Sequence, residues 1–164
     1  MKLSLPKAKQ IIGMTDLVDF PDLGLSDVQA KVDTGAYTSA LHCKDVQVKR
    51  SGLRKKLSFW LIDKTGEPAR QFFSDKFSQR MIRNSFGVAE LRYVITTPIV
   101  LFGRTIRAEF TLADREQLKN PVLLGRKLLR NRFLVDVSQK NLSYQQKVNS
   151  QLTSVVSKKT TSVQ

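Results

Sequence analysis

Residues Thr105–Leu112 alternate strictly: Ile106, Ala108, Phe110 and Leu112 fall on one side, and Arg107, Glu109 and Thr111 on the other. Only an extended chain puts every second side chain on one face, so this is a half-buried strand. Ile99–Phe102 precedes it across Gly103-Arg104, which predicts a two-residue hairpin with glycine first. Similar short runs recur along the chain. Residues 9–14, Val28–Val32, Val46–Val48 and Leu57–Ile62 read as strands, the last closed by Asp63-Lys64-Thr65-Gly66. Turn chemistry marks Pro21–Gly24 and Asn84–Gly87, and an extended run, Val88–Thr97, ends at Pro98. Gln71–Phe77 fits a strand or a loop. After Asn120-Pro121 the stretch "VLLGRKLLRNRF" reads as a short strand, a glycine and one or two helical turns, and "LVDVS" as a last strand. Many short strands and one short helix predict a mostly β fold, closed or nearly closed into a barrel that hides its strand edges.

The 164 residues suffice for one hydrophobic core. The expected division is a flexible N-terminus over residues 1–8, one domain over 9–144, and a disordered polar tail over 145–164, where aromatics nearly vanish. No apolar run is long enough to span a bilayer. The opening "MKLSLPKAKQIIGM" lacks the continuous apolar stretch of a secretory leader, and the single cysteine, Cys43, cannot form an internal disulfide. Together these predict a cytoplasmic protein.

The formal net charge of +14 implies an anionic partner. The denser basic patches are Lys49-Arg50 with Arg54-Lys55-Lys56, and Arg126-Lys127 with Arg130 and Arg132. No ribonucleoprotein-type aromatic motif or zinc-finger spacing accompanies them, and few aromatics are spaced for base stacking. Nucleic acid is therefore not the favoured partner.

One stretch stands apart. In "AKVDTGAYTSALH", residues 30–42, a carboxylate interrupts an apolar strand and is followed at once by Thr34-Gly35. A lone ionised Asp33 is costly to bury unless it is hydrogen bonded or paired. Asp-Thr-Gly by itself is also ordinary turn chemistry. About ninety residues later comes Val122-Leu123-Leu124-Gly125-Arg126-Lys127-Leu128-Leu129. This pairing resembles the single-lobe aspartic proteases of the retroviral type. There an apolar strand ends in Asp-Thr-Gly-Ala, a second apolar-Gly-Arg segment crosses beneath it, and a glycine-bearing hairpin forms a flap.

The four blocks "AKVDTGAYTSALH", "NSFGVAELRYVI", "TLADREQLKNPVLLGRKLL" and "FLVDVS", in this order, resemble a bacterial family of retropepsin-like proteases labelled ATP-dependent zinc proteases. The resemblance covers residues 10–142. It implies a mostly β, single-lobe retropepsin-like closed barrel with one short C-terminal helix. It also implies an aspartic endopeptidase. Departures occur at Met14, Tyr37 and Phe86, where members usually carry Trp, Arg and Asn; the last two bear on substrate preference.

Neither half of the family label finds its residues here. A catalytic zinc takes about three protein ligands, yet the chain has one histidine, His42, one cysteine, Cys43, and no His-Glu-x-x-His. Adjacent on a strand, His42 and Cys43 point to opposite faces, with His42 expected as a partly exposed strand-end residue. No Walker-type glycine loop is present. No cofactor and no metal are expected.

Aspartic protease chemistry needs two carboxylates sharing one proton. This chain has one Asp-Thr-Gly. Asp114 and Asp136 read as surface or turn carboxylates, so the second Asp33 must come from a second copy across a two-fold axis. The resemblance then gives Asp33 the catalytic role. It makes Thr34, Gly35 and Ala36 the loop's support and Leu124, Gly125 and Arg126 the crossing segment, with Leu123 in the core and Arg126 in a structural ion pair. It makes Ser85, Phe86 and Gly87 the flap. The expected partners are a second copy and a peptide or protein substrate, acidic or glutamylated, because members of this family often occur beside ligases that add glutamates. The alternatives are a non-catalytic binding module on the same barrel and, behind it, a basic nucleic-acid-binding barrel.

Overall fold

The computed structural model describes residues 8–62, 65–83, 86–114 and 119–160, with side chains through residue 156. Its strands are β1 (Gln10–Ile12), β2 (Thr15–Phe20), β3 (Leu25–Val32), β4 (Ser39–Ser51), β5 (Arg54–Ile62), β6 (Pro68–Ser74), β7 (Ser78–Arg83), β8 (Ala89–Leu101), β9 (Arg104–Ala113), β10 (Val122–Leu124) and β11 (Phe133–Val135). Helices α1 (Arg126–Leu129) and α2 (Leu142–Thr160) follow β10 and β11 respectively.

Six strands close a ring. The order β10-β3-β2-β8-β9-β4 returns to β10, which pairs with β3 in parallel and with β4 antiparallel. Closure removes the free edges that short strands would otherwise present. β5 and β6 extend outward from β4, and β7 from β8. β1 pairs with β11 in a separate parallel ribbon. The alternating segment is strand β9, and its inward residues meet the core as the period requires. Phe110 packs edge-on against Phe20 at 5.1 Å between centroids, and both are fully buried. Each such ring contributes about 1.5–3 kcal/mol of transfer free energy.

Four sequence expectations are corrected. The β8–β9 turn is Phe102-Gly103, not Gly103-Arg104, since Leu101 pairs with Arg104. Both turn residues have positive φ (51° and 66°), the twist a two-residue hairpin favours. Phe102 tolerates it because its ring packs on Phe133 and its amide donates to Ser143 Oγ at 2.7 Å. Pro98 does not end its strand. It lies between the stretch of β8 paired to β7, ending at Val94, and the Val100 pairing to β2, so its missing N–H leaves little unpaired. His42 is buried within β4 (7% exposed), because residues 39–43 are covered on both faces.

The fourth correction concerns the tail. Residues 145–160 are not disordered but belong to α2. The helix is started from a distance. Asp16 is fully buried, and its carboxylate accepts from the amides of Ser143 (2.9 Å) and Tyr144 (3.1 Å), two donors a helix N-terminus leaves unpaired. Burial pushes the Asp16 carboxyl above its usual range despite these donors. One turn on, Lys147 pairs with Asp19 and Asp27 at 2.8 Å each. Residues 1–7 and 161–164 lie outside the described residues. Among the described residues, no helix is long and apolar enough to cross a membrane.

Candidate active site

Strand β10 enters between β3 and β4, the two strands that flank the Asp33 loop. Val122 and Leu124 pair with Ala30 and Val32, and the Asp33 amide continues the ladder to the Leu124 carbonyl at 3.0 Å. The chain then leaves the sheet. The Asp33 carboxylate turns back on its own loop, where Oδ1 accepts from the amides of Gly35 (2.9 Å) and Ala36 (3.2 Å). A Cβ at Gly35 would stand 3.2 Å from that oxygen. Asp33 is half-buried, while Thr34, Gly35 and Tyr37 face outward.

The crossing segment clamps the loop from beneath. Gly125 approaches so closely that a Cβ there would lie 2.7 Å from the Thr38 carbonyl carbon and 2.8 Å from the Tyr37 oxygen. Its φ of −85° is ordinary, so glycine is required for space rather than for conformation. The Arg126 amide donates to the Ala36 carbonyl (2.9 Å) and the Lys127 amide to the Tyr37 carbonyl (3.0 Å). The Gly125 amide donates to Ser39 Oγ (3.0 Å), and Ser39 is buried. Ser39 is thus a loop-positioning residue that the sequence reading missed. Its only signal was a small hydroxyl opening an apolar strand. Arg126 makes no ion pair among the described residues. Its guanidinium instead donates to the Thr34 carbonyl (2.9 Å) and lies over the Tyr37 ring, 5.9 Å from the centroid. Leu124 is buried and Leu123 half-buried.

Strands β7 and β8 form the expected hairpin. Phe86 is 92% exposed and Gly87 has φ of 77°, while Ser85 lies outside the described residues. Met81, Val88 and Leu91 are also exposed, and Met81 and Leu91 sit opposite each other across the hairpin. At its base, Arg80 grips Glu109 of β9 with two hydrogen bonds (2.6 and 2.9 Å), and Lys127 of the crossing segment bonds the same carboxylate. Arg80, then Lys127, hold the Glu109 carboxyl below its usual range. Sequence reasoning missed this tie, because its three residues come from three separate elements.

Among the described residues, the zinc in the family label finds no fitting set of ligands. Cys43 lies in the hydrophobic core with its thiol pushed up to about 12, chiefly by burial, which disfavours the thiolate a metal needs. The His42 Nδ1 faces Asp114 at 3.8 Å. Among the described residues, no three His, Cys, Asp or Glu side chains converge. Asp136 is a turn carboxylate, accepting from the Ser138 amide and hydroxyl.

A closed barrel, an Asp-Thr-Gly loop and a glycine segment crossing beneath it define a retropepsin-like domain. The chain belongs to the RimB-like family, described as retropepsin-like aspartic endopeptidase RimB, whose profile matches residues 11–146. It is 35% identical over 134 residues to a probable alpha-L-glutamate ligase of Desulfotalea psychrophila, covering 79% of this chain and 28% of that protein. A protein of the same name from Shewanella pealeana is 37% identical, with 80% and 29% covered. The chain therefore spans less than a third of the length of these relatives. The crystal structure of Lpg0085, a Legionella pneumophila protein of unknown function, superposes with a TM-score of 0.64 at 22% identity, covering 83% of this chain and 99% of that one.

Proposed function

We propose that this protein is an aspartic endopeptidase that works as a two-fold homodimer. Its two Asp33 carboxylates meet at the axis and share one proton. The ionised one takes a proton from water, which attacks the peptide carbonyl. The protonated one donates to the carbonyl oxygen. The observation that carries this reading is the Asp33 carboxylate itself. It is oriented by the Gly35 and Ala36 amides on a loop fixed by the Gly125 segment, while the adjoining Thr34 and Gly35 stay exposed. In the dimer Thr34 would bond across the seam, and the Phe86-Gly87 hairpin tip would close over the substrate and exclude water.

The substrate class we propose is a protein carrying glutamates. Two observations support it: the net charge of +14, and the similarity to a segment of longer proteins named as glutamate ligases. The test is hydrolysis of a Glu-rich peptide by wild type and Asp33→Ala from acidic to neutral pH, with native mass measured in parallel. The proposal expects a dimer, cleavage lost in the variant, and rates that fall steeply with salt. A monomer that cleaves, or a variant that retains activity, contradicts the dyad. A flat salt response contradicts the acidic substrate.

A further inference from the structure

The ring uses only the first residues of β4: Ser39–His42 pair with β9, and Ala40 and Leu41 with β10. Beyond Cys43, β4 pairs with β5 alone, and β6 covers β5 only from Leu57 onward. Residues 49–56 are therefore a free two-stranded ribbon, turning at Gly52 (φ 60°) and Leu53. Their sequence, "KRSGLRKK", has five cations and no acid. The register sets like charges face to face, Lys49 opposite Lys56 and Arg50 opposite Lys55. Such pairs oppose the pairing of the ribbon that carries them. Lys56 has Asp75 at 3.7 Å and Lys49 lies over the Phe73 ring, but Arg50, Arg54 and Lys55 have no acidic partner among the described residues.

Because cross-strand pairs share a face, Lys49, Arg54 and Lys56 lie on one side of the ribbon and Arg50 and Lys55 on the other. A flat anionic surface meets one face of a ribbon. A nucleic-acid groove surrounds it with phosphates on both sides, and the major groove of B-form DNA is wide enough for two strands. A membrane would also want an apolar face, and the tip offers only the fully exposed Leu53. A peptide held in the cleft is too far away, since twelve residues of strand separate Ser51 from Ser39, a span of up to about 40 Å.

We propose that the β4–β5 ribbon is a docking arm for double-stranded nucleic acid, bound through its phosphates with Arg50, Arg54, Lys55 and Lys56 as the main contacts. The arm is independent of the peptidase reading and needs no Asp33. The test is fluorescence anisotropy of the full chain with a 20-base-pair DNA duplex and its RNA counterpart over a salt series. Anionic vesicles and a poly-glutamate peptide serve as the other arms. Four contacts predict a slope of log K against log salt of about −3.6. Arg50→Ala with Lys55→Ala should weaken binding at least tenfold and flatten the slope by about 2. Arg130→Ala with Lys140→Ala, which removes the same charge elsewhere, should change it little. Circular dichroism verifies that both variants stay folded. Absence of salt-dependent duplex binding, equal loss in both double variants, or tighter binding to vesicles or poly-glutamate would overturn the proposal.

Discussion

The Asp33 loop and the β7–β8 hairpin would both meet the substrate in the proposed function, yet they are built in opposite ways. The loop has no spare volume beneath it: Gly125 touches its backbone and is held by Ser39, and Arg126 and Lys127 bond to it. The hairpin carries Met81, Phe86, Val88 and Leu91 into solvent and is held to the barrel by the ionic tie at its base. The difference is what the proposed chemistry asks for. A carboxylate that must share a proton tolerates little displacement, whereas a cover must open.

The largest expected effect tests the fixed side of this comparison. Asp33→Asn should cost about 100- to 10,000-fold in peptide hydrolysis. It should leave the melting temperature nearly unchanged, since the Asn carbonyl can still accept from Gly35 and Ala36. Next is Gly125→Ala. Its methyl meets the Tyr37 and Thr38 backbone, so stability should fall by about 1–3 kcal/mol and activity by about 100-fold, read by denaturant titration and initial rates. Asp16→Ala should separate stability from chemistry. It removes the acceptor for the Ser143 and Tyr144 amides, so α2 should lose amide-exchange protection, at a cost of about 1–3 kcal/mol, with kcat almost unmoved.

The smallest effect sharpens the mobile side. Glu109→Gln loosens the hairpin base for about 1 kcal/mol of stability and should raise KM more than it lowers kcat. Arg80 and Lys127 lower the folded-state pKa of Glu109, so the carboxylate's contribution is present above its unfolded value and lost as pH falls through the lowered one. The stability gap between wild type and Glu109→Gln should therefore be fully present at neutral pH, begin to shrink as pH falls into the usual carboxylate range and close below it, in melts at pH 7, 5 and 3.

What was legible in the sequence was local. The β9 alternation, the Asp-Thr-Gly loop and the second glycine segment all announce themselves within a few residues, and the barrel follows from them. What was not legible depends on residues far apart in the chain. The helix after Leu142 looks like a polar tail because its cap, Asp16, lies 127 residues upstream of Ser143. The β8–β9 turn was placed one residue late because glycine-first chemistry is the local preference, while Phe102 is held in the left-handed region by Ser143 and Phe133. His42 looked like an exposed strand end because nothing nearby says that β4 runs on to Ser51. Ser39 and Glu109 have no motif at all, and their roles exist only once β10 and α1 have crossed beneath the loop.

The claim that two chains build one site is tested most directly by mixing. At a fixed total chain concentration, wild-type protein unfolded and refolded with an increasing share of Asp33→Asn chain should show activity that follows the square of the wild-type fraction, because mixed dimers hold one carboxylate. Activity that instead stays proportional to the amount of wild-type chain would place the whole catalytic apparatus in a single copy and contradict the account.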